Sequence, residues 1–536
     1  MTGKKGRIGA CVKGGGGGFN GGMKGLWKWV LLVMVAAAPW LYGLSFPFVY
    51  DDLGMISENA FLAEPGHEWK VWSGQTLMDE TVLNGRRPAV LASYFRDRAL
   101  YGLQPKGWRV TNVIFHLLNA AGVAVLAWKL SGRRSLGGLA GVLFALHPMV
   151  TEAVHSPGFR ADVMCLFWML AGVLAGIAAL EAQCAWKGRC WGAAALAAVA
   201  VALLSKETAL VWPVAMGAVA WGLPAREGHW RWVGLAVGGG VLAGMFFALW
   251  CASGGELQAA GGGAWNGESL RWPENVWSVP ALWSRELRLL LVPWPLNVTP
   301  RFEAVRSVGD GRFWMGLFWM AIGTVAAWKA RRRAPVVTLG LAWMAIFFAP
   351  VSNVWPLYHP VADRYFYPVV PGFALLTAWL LDQQSPGGRR WGGVLLAGLY
   401  GALIVGRLWQ WGTPERLWSA AYYQNSQSAD AAVWLGLLSE EKGDGEGAEV
   451  FYRAATEANP QSVRAWVNRG VRAGKCGRWE ESEAYLRRAL ELNPEHRAAQ
   501  RNLETCRRLQ ARATEAATEE NFAAEGALET DGAGGD

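Results

Sequence analysis

Apolar runs separated by short polar stretches fill the chain from about residue 26 to residue 411. A helix needs about 17–25 apolar residues to cross a bilayer. Eleven runs approach that length, at residues 26–48, 109–129, 136–153, 162–183, 190–205, 208–224, 232–251, 313–328, 335–351, 366–382 and 391–411. The pattern therefore predicts a membrane protein with about eleven transmembrane helices.

Basic residues give the predicted topology. Clusters of Lys and Arg precede the first run and follow the second, fourth, sixth, eighth and tenth runs. Cytoplasmic loops are enriched in basic residues, and eleven spans place every cluster on that side. Residues 276–298 contain two arginines, a glutamate and three prolines. They are therefore predicted to lie in the interface and not to span the membrane. The N-terminus is then cytoplasmic, and the segment after the last span lies on the non-cytoplasmic side.

A repeat follows the last apolar run. Residues 430–466 and 464–500 align at a period of 34, each with a helix, a short turn, a second helix and then Asn-Pro. This spacing and residue pattern are those of tetratricopeptide repeats (TPRs). A half-unit at about 413–428 and a helix at about 498–513 are expected to cap the two units. The matching positions are Gly436 with Gly470, Gly443 with Gly477, Phe451 with Tyr485, Ala455 with Ala489, and Asn459 with Asn493.

Composition supports this division. The chain is 52% hydrophobic and 17% charged, whereas soluble domains carry about 25% charged residues. From Glu415 onward there are 15 basic and 21 acidic residues, a net charge of −6, which leaves 36 basic and 21 acidic residues, a net of +15, before it. The basic excess belongs to the membrane part, so no nucleic-acid partner is expected. The predicted domains are a disordered basic tail (1–25), a membrane domain (26–412) with a first outer loop (49–108), a TPR domain (413–513) and a disordered tail (514–536).

Charged and polar residues recur where predicted spans reach the outer face. Acid and base occur together at four of these ends, which suggests one shared cavity. Taken singly, each cluster could instead be a helix cap, a local ion pair or a solvated loop, and His116 could be a core histidine. The seven cysteines show no metal-site spacing and no disulfide framework. The candidates are Asp51, Asp52, Arg87, His116, His147, Glu152, Arg160, Asp162, Lys206, Glu207, Asp363 and Arg364.

Several of these stretches resemble a known family. DDLGMISENAF, RRPA, WRVTNVIFHLLNA, LFALHPMVTEAV with GFRADV, LLSKET, RELRLLLVPWPLNV and VADRYFYP occur in order and precede the repeats. Together they resemble the transmembrane-and-TPR O-mannosyltransferases of the GT-C glycosyltransferase superfamily. The resemblance implies an all-α polytopic bundle, a lipid-phosphate sugar donor and an active site on the non-cytoplasmic face. It also implies that Asp51 and Asp52 are the catalytic acidic pair and that the other candidates, except His116, line the same cavity.

The implied reaction suits these residue types. A hydroxyl acceptor needs a general base, which a carboxylate supplies, and a leaving phosphate needs cations such as Arg87 or Arg364. We expect an inverting transfer, with mannose as the sugar, from a polyprenyl-phosphate donor to an exported protein or peptide bound in the TPR groove. No cofactor is expected, and a divalent metal is left open. A membrane-anchored TPR scaffold without catalysis and a transporter are the alternatives.

Overall fold

All regular secondary structure in the described residues is helical. The computed structural model describes residues 19–79, 81–222, 231–253, 272–355, 357 and 359–531. The predicted all-α fold is confirmed. Residues 1–18 of the predicted basic tail and residues 532–536 of the predicted C-terminal tail lie outside the described residues. The first helix begins at Phe19, inside the predicted tail.

The helices before the repeats follow the predicted apolar runs. In chain order they are α1 (Phe19–Leu41), α2 (Ala60–Ala63), α3 (His67–Trp72), α4 (Pro88–Tyr101), α5 (Pro105–Ser131), α6 (Arg134–Ala145), α7 (Thr151–His155), α8 (Arg160–Glu181), α9 (Ala185–Leu203), α10 (Trp212–Gly222), α11 (Arg231–Ala252), α12 (Glu274–Leu291), α13 (Gly311–Ala330), α14 (Pro335–Phe348), α15 (Val370–Asp382) and α16 (Pro386–Gln410). Short 3₁₀ turns at Pro148–Val150, Pro157–Phe159, Glu207–Val211 and Asp363–Phe366 carry several candidate residues.

The helices differ in their capacity to span a membrane. Within the described ranges, four are long and apolar enough to do so: α5, α8 extended back to Pro157, α11 and α16. A fifth results if α6 and the segment Pro148–His155, bent by 53°, count as one span. The apolar helices at Val30–Leu41, Pro335–Val351 and Val370–Asp382 are shorter. The class of integral membrane protein is thus supported, while the number of eleven spans stays a prediction.

The bend after α6 has a local cause. Pro148 lacks an N–H and cannot continue the helix, and the His147 side chain caps the following turn by accepting from Met149 N at 3.3 Å. The other ring nitrogen of His147 lies 3.0 Å from the carbonyl oxygen of Leu290. The bend directs α7, which carries Glu152, into the bundle, where all five of its residues are buried.

The segment predicted to lie in the interface forms α12. This helix contains Pro280 and buries Glu286 in an ion pair with Arg285. It is not among the helices apolar enough to cross a membrane. In the first outer loop, α3 leaves Trp69 and Trp72 largely exposed.

The repeat region has the predicted helix pairs. They are α17 (Pro414–Gln424), α18 (Ala429–Glu441), α19 (Gly445–Ala458), α20 (Val463–Lys475), α21 (Trp479–Leu492) and α22 (Arg497–Asp531). Gly443 and Gly477, which the sequence aligns, both adopt a left-handed φ, of 78° and 74°, in the turn between paired helices. Such a φ favours glycine. Helix α22 continues to Asp531, beyond the predicted end near residue 513.

The repeat region packs directly on the membrane part. Trp411, Leu417 and Trp418 share a core cluster with Val49 and Phe159. Two asparagine side chains add hydrogen bonds across the boundary: Asn297 donates to the carbonyl oxygen of Ala421 at 3.1 Å, and Asn425 donates to that of Thr299 at 3.0 Å. Helix α17 is therefore held against the membrane part by packing and hydrogen bonds.

Candidate active site

The two adjacent aspartates have different surroundings. Asp52 is fully buried, and its Oδ1 accepts hydrogen bonds from Ser156 Oγ at 2.5 Å and from Gly158 N at 2.8 Å. The Arg109 guanidinium lies 3.9 Å from Oδ2. Burial raises the pKa of Asp52 to about 6, against the lowering effect of Arg109 and these hydrogen bonds. Asp52 therefore holds the start of the outer loop against the turn before α8.

Asp51 is only partly buried and faces a different set of charges. Burial raises its pKa, the Arg364 guanidinium lowers it, and the Glu152 carboxylate raises it further. A partly exposed carboxylate with a raised pKa beside an arginine is suited to accept a proton near neutral pH. Of the acidic pair, Asp51 is the member with an accessible side chain.

Local backbone geometry separates the two side chains. Tyr50, directly before the pair, has a φ of 57°, which non-glycine residues rarely adopt. Its ring packs edge-on against Phe159 and Trp418, at centroid distances of 5.8 and 5.3 Å. Gly158 approaches so closely that a Cβ there would lie 3.2 Å from Asp51 C, Asp52 N and Asp52 Oδ1. Packing on both sides thus fixes the direction of Asp51.

Arg364 is the cation that lowers the pKa of Asp51. Its Nη1 pairs with Glu152 Oε1 at 2.5 Å, and its guanidinium lies 4.1 Å from the centre of the Phe159 ring. Both members of the pair are buried, at 7% and 1% exposure. Burial lowers the pKa of Arg364, but Glu152 and neighbouring groups outweigh it and leave that pKa well above its usual value. Arg364 therefore stays charged beside Asp51.

Two further ion pairs extend the same polar region. Lys206 Nζ pairs with Asp162 Oδ1 at 2.6 Å, and Arg87 Nη2 pairs with Glu207 Oε1 at 3.0 Å. Although burial raises the pKa of Glu207, Arg87 and Lys206 outweigh that effect and hold it below its usual value. Lys206 also lies 5.5 Å from the centre of the Tyr365 ring, next to Arg364 in the chain. The structure thus brings together Asp51, Arg87, Glu152, Asp162, Lys206, Glu207 and Arg364.

Three other candidates lie in the core. Both ring nitrogens of His116 are bonded within the protein, to Tyr367 Oη at 2.9 Å and the carbonyl oxygen of Ala145 at 3.0 Å. His147 caps the bend described above. Arg160 is fully buried and makes an ion pair with Asp97 at 2.6 Å. The helix cap and the core histidine that the sequence left open fit His147 and His116, and the contact with Asp97 gives Arg160 a structural partner.

Asp363 belongs to a second buried cluster. Its Oδ2 accepts from Asn297 N at 3.1 Å and lies 3.8 Å from Arg407 Nη2. Burial raises the pKa of Asp363 to about 6, although Arg407 lowers it. Arg407 also donates to the carbonyl oxygen of Leu296 at 2.8 Å. Neither Arg407 nor Asp97 was among the candidates, although a lone arginine inside an apolar helix signals a specific partner.

No group of three or more His, Cys, Asp or Glu side chains in the described ranges could hold a metal ion. Of the described acids of the site, Glu152, Asp162 and Glu207 are paired with arginine or lysine, and Asp52 is held by hydrogen bonds.

Comparisons with known proteins agree with the resemblance found in the sequence. Residues 463–496 match the tetratricopeptide repeat family. Over 169 residues the chain is 32% identical to mouse "Protein O-mannosyl-transferase TMTC1", covering 30% of this chain and 18% of that protein. Over 506 residues it is 24% identical to human "Protein O-mannosyl-transferase TMTC4", covering 79% of this chain and 66% of that protein. The predicted relationship to O-mannosyltransferases is confirmed.

The chain spans only part of the length of these relatives. The matches to mouse TMTC1, Caenorhabditis elegans F38B6.6 and mouse TMTC3 cover 18%, 25% and 16% of those proteins. Among solved structures, ArnT from Cupriavidus metallidurans in the apo state aligns with a TM-score of 0.43 at 20% identity. That alignment covers 85% of this chain and 80% of ArnT.

Proposed function

We propose that the protein is an integral-membrane glycosyltransferase that transfers mannose from a polyprenyl-phosphate donor to a hydroxyl group of an exported protein. The reaction inverts the anomeric carbon and takes place on the non-cytoplasmic face. The observation that carries the proposal is the difference in surroundings between the two aspartates. Asp52 is held by Ser156 and Gly158, whereas Asp51 is partly exposed and its pKa is influenced by Arg364. The O-mannosyltransferase names of the relatives support the class of reaction.

In the proposed step the acceptor hydroxyl oxygen attacks the anomeric carbon of the donor sugar. A new C–O bond forms on the face opposite the phosphate, and the bond from that carbon to the phosphate oxygen breaks. The hydroxyl proton passes to Asp51, and the bonding electrons leave with the polyprenyl phosphate. The phosphate leaves on the face opposite Asp51, and the cations of the polar region, Arg364, Lys206 and Arg87, are the groups proposed to stabilise its developing charge.

Lys206 and Arg87 extend the positive charge of the site. Each is already paired with a carboxylate, so this polar region carries nearly balanced charge. A leaving polyprenyl phosphate is a monoester whose second pKa is about 6, so two or three fixed cations could receive it without a strict need for metal. Transfer in the presence of a chelator, with and without added divalent cations, tests this point.

The test of the function is direct transfer by the purified full-length protein in detergent. With polyprenyl-phosphate mannose and a threonine-containing peptide, we expect mannosylated peptide, and we expect Asp51→Asn to abolish it while folding stays intact. Glu303→Gln, in a carboxylate that pairs with Arg301 and Arg312 on the loop before α13, is the matched control and should transfer normally. Normal turnover by Asp51→Asn would contradict the proposed mechanism.

A second candidate function is supported by the repeat match at residues 463–496. A TPR scaffold anchored in the membrane would bind partner proteins without catalysis. In that case the wild-type protein would neither transfer mannose nor hydrolyse the donor, and Asp51→Asn would leave partner binding unchanged.

A further inference from the structure

A buried carboxylate joins two arginines at the end of the helix bundle that lies away from the acidic pair. Asp382 is the last residue of α15, and its side chain is fully buried. Its Oδ2 pairs with Arg133 Nη1, directly before α6, and its Oδ1 pairs with Arg389 Nη1 at 2.8 Å, in the first turn of α16. The two arginine side chains are 61% and 36% exposed. These three residues form a basic cluster, in which Asp382 holds two guanidinium groups from different elements side by side at the surface.

Helix length places the basic cluster on the opposite side of the membrane part from the candidate active site. Arg407 is eighteen residues further along α16 than Arg389, which corresponds to about 27 Å of helix. Arg407 in turn lies 3.8 Å from Asp363, the chain neighbour of Arg364. The hydrocarbon core of a bilayer is about 30 Å thick. The basic cluster therefore lies at the second boundary of that core, on the face predicted to be cytoplasmic.

The basic cluster has more positive charge than its carboxylate neutralises. Arg134 and Arg390 directly follow Arg133 and Arg389 in the chain, so four arginines accompany the single carboxylate of Asp382. Among the described contacts, Asp382 takes one nitrogen of each paired arginine, whereas a guanidinium carries five N–H donors. Donors of Arg133 and Arg389 therefore remain for an anion, and phosphate oxygens match the geometry of the guanidinium fork.

Apolar side chains are exposed directly beside the basic cluster. Trp391, Val394 and Leu395, in the first turns of α16, are 64%, 54% and 70% exposed. Their spacing of three and four residues puts them on one face of the helix. Tryptophan is enriched where membrane helices reach the interface, so Trp391 marks that depth and the other two lie about one turn further into the bilayer. A soluble anion would make no use of this face, whereas a phospholipid has both a phosphate and acyl chains.

We propose that the basic cluster binds the phosphate of an anionic phospholipid, whose acyl chains lie along the exposed face of α16. Arg133 and Arg389 pair with the phosphate oxygens, and Asp382 keeps the two guanidinium groups close enough to reach the same phosphate. Basic pockets between membrane helices are known places for such headgroups. The lipid then joins the inner ends of three helices: α6 precedes the segment with Glu152, α15 follows the turn with Arg364, and α16 leads to the repeats. The lipid site is independent of the proposed function.

The experiment measures lipid binding to the full-length protein, purified in detergent and stripped of lipid. Phosphatidylglycerol and phosphatidylcholine with the same acyl chains are titrated in turn, and binding is followed by native mass spectrometry and by the melting temperature. The first test variant carries Arg133→Gln and Arg389→Gln. The second also carries Asp382→Asn, so that no buried carboxylate is left without its partners. The control carries Arg332→Gln and Arg333→Gln, which remove the same charge from an exposed loop on the same predicted face.

We expect phosphatidylglycerol to bind the wild type and to raise its melting temperature, and phosphatidylcholine to have a much smaller effect. An arginine near an anionic membrane surface contributes a factor of about five in binding. The first test variant should therefore bind phosphatidylglycerol about twenty- to thirtyfold more weakly, and the second, which also loses a repulsive carboxylate, at least about fivefold more weakly. The control should match the wild type. Inorganic phosphate at millimolar concentration should not displace the lipid, because it lacks acyl chains.

The lipid site is overturned if the wild type and both test variants bind phosphatidylglycerol equally, or if the wild type binds the two lipids equally. An equal loss in the control would also overturn it, because basic loops in general would then attract the lipid. Displacement of the lipid by inorganic phosphate would show a site for soluble anions instead. The melting temperature without lipid reports folding, and if the first test variant does not fold, the second decides the outcome.

Discussion

The pH dependence of transfer should identify Asp51 as the base. Its pKa is raised by burial, lowered by Arg364 and raised by Glu152. A base must be deprotonated, so activity should fall as the pH decreases through this raised pKa. Removing Arg364 takes away the lowering influence, and the acidic limb should then move to higher pH. Glu152→Gln removes a raising influence and also frees Arg364 from its partner, so the limb should move to lower pH.

The relative size of these shifts follows from the contacts. Arg364 already shares its charge with Glu152 at 2.5 Å, so part of its effect on Asp51 is offset. The shift for Arg364→Gln should therefore be smaller than the effect of an unpaired opposite charge, which is about 1–3 pKa units. The assay is kcat/KM for peptide mannosylation as a function of pH, which reports groups of the free enzyme.

The controls use the neighbouring ion pair. Arg87→Gln and Glu207→Gln make the same chemical changes in a second ion pair. Neither residue is among the groups that shift the pKa of Asp51. They should change the height of the profile without moving its acidic limb. Asp52 also has a raised pKa, of about 6, but burial raises it and Arg109, Ser156 and Gly158 lower it, so an acidic limb due to Asp52 would not respond to the removal of Arg364. Shifts in the same direction for Arg364→Gln and Glu152→Gln, or no shift in either, would refute the assignment.

Four other outcomes follow from the structure. Asp52→Ala should lower kcat and the melting temperature together, because it leaves Ser156 Oγ and Gly158 N without their acceptor, and Asp52→Asn should recover most of both. Gly158→Ala should cost about 1–3 kcal/mol of stability and lower kcat, because its Cβ meets the backbone of both aspartates; a fully active variant would contradict the fixed geometry. A reporter active only in the cytoplasm, fused after residue 440, should be silent if the repeats lie outside, and a signal would show that the span count is wrong. Truncation after residue 459 should preserve donor hydrolysis, whereas truncation after residue 413 should abolish it, and equal hydrolysis by both would show that α17 is dispensable.

Residue types and their positions at helix ends were predictable from the sequence, but pairing partners were not. Lys206 and Glu207 are adjacent and could have formed a local ion pair, yet Lys206 bonds to Asp162, 44 residues away, and Glu207 to Arg87, 120 residues away. Lys206 is extended, with φ −162° and ψ 143°, and Glu207 begins a 3₁₀ turn. Neighbouring side chains at such a junction point in different directions, so each finds a partner on another element.

The same geometry explains the second acid–base dipeptide. Ala362 is extended and Asp363 starts a 3₁₀ turn, in which successive side chains are about 120° apart. Asp363 therefore turns toward Asn297, whereas Arg364 reaches Glu152, 212 residues away in the chain. No sequence period encodes a contact of that separation, and only the packing of α7 against the turn defines it.

The position of Asp51 depends on both parts of the chain. A residue held at the φ of Tyr50 costs of order 1–3 kcal/mol and persists only where its surroundings determine it. Those surroundings are Phe159, from the membrane part, and Trp418, from α17. Trp418 in turn stacks on Trp434 of the first full repeat, so the conformation of Tyr50 depends on the packing of the repeat region as well as on the membrane part. The direction of the neighbouring Asp51 is therefore set jointly by both parts, through ring contacts that a flexible tether would not supply.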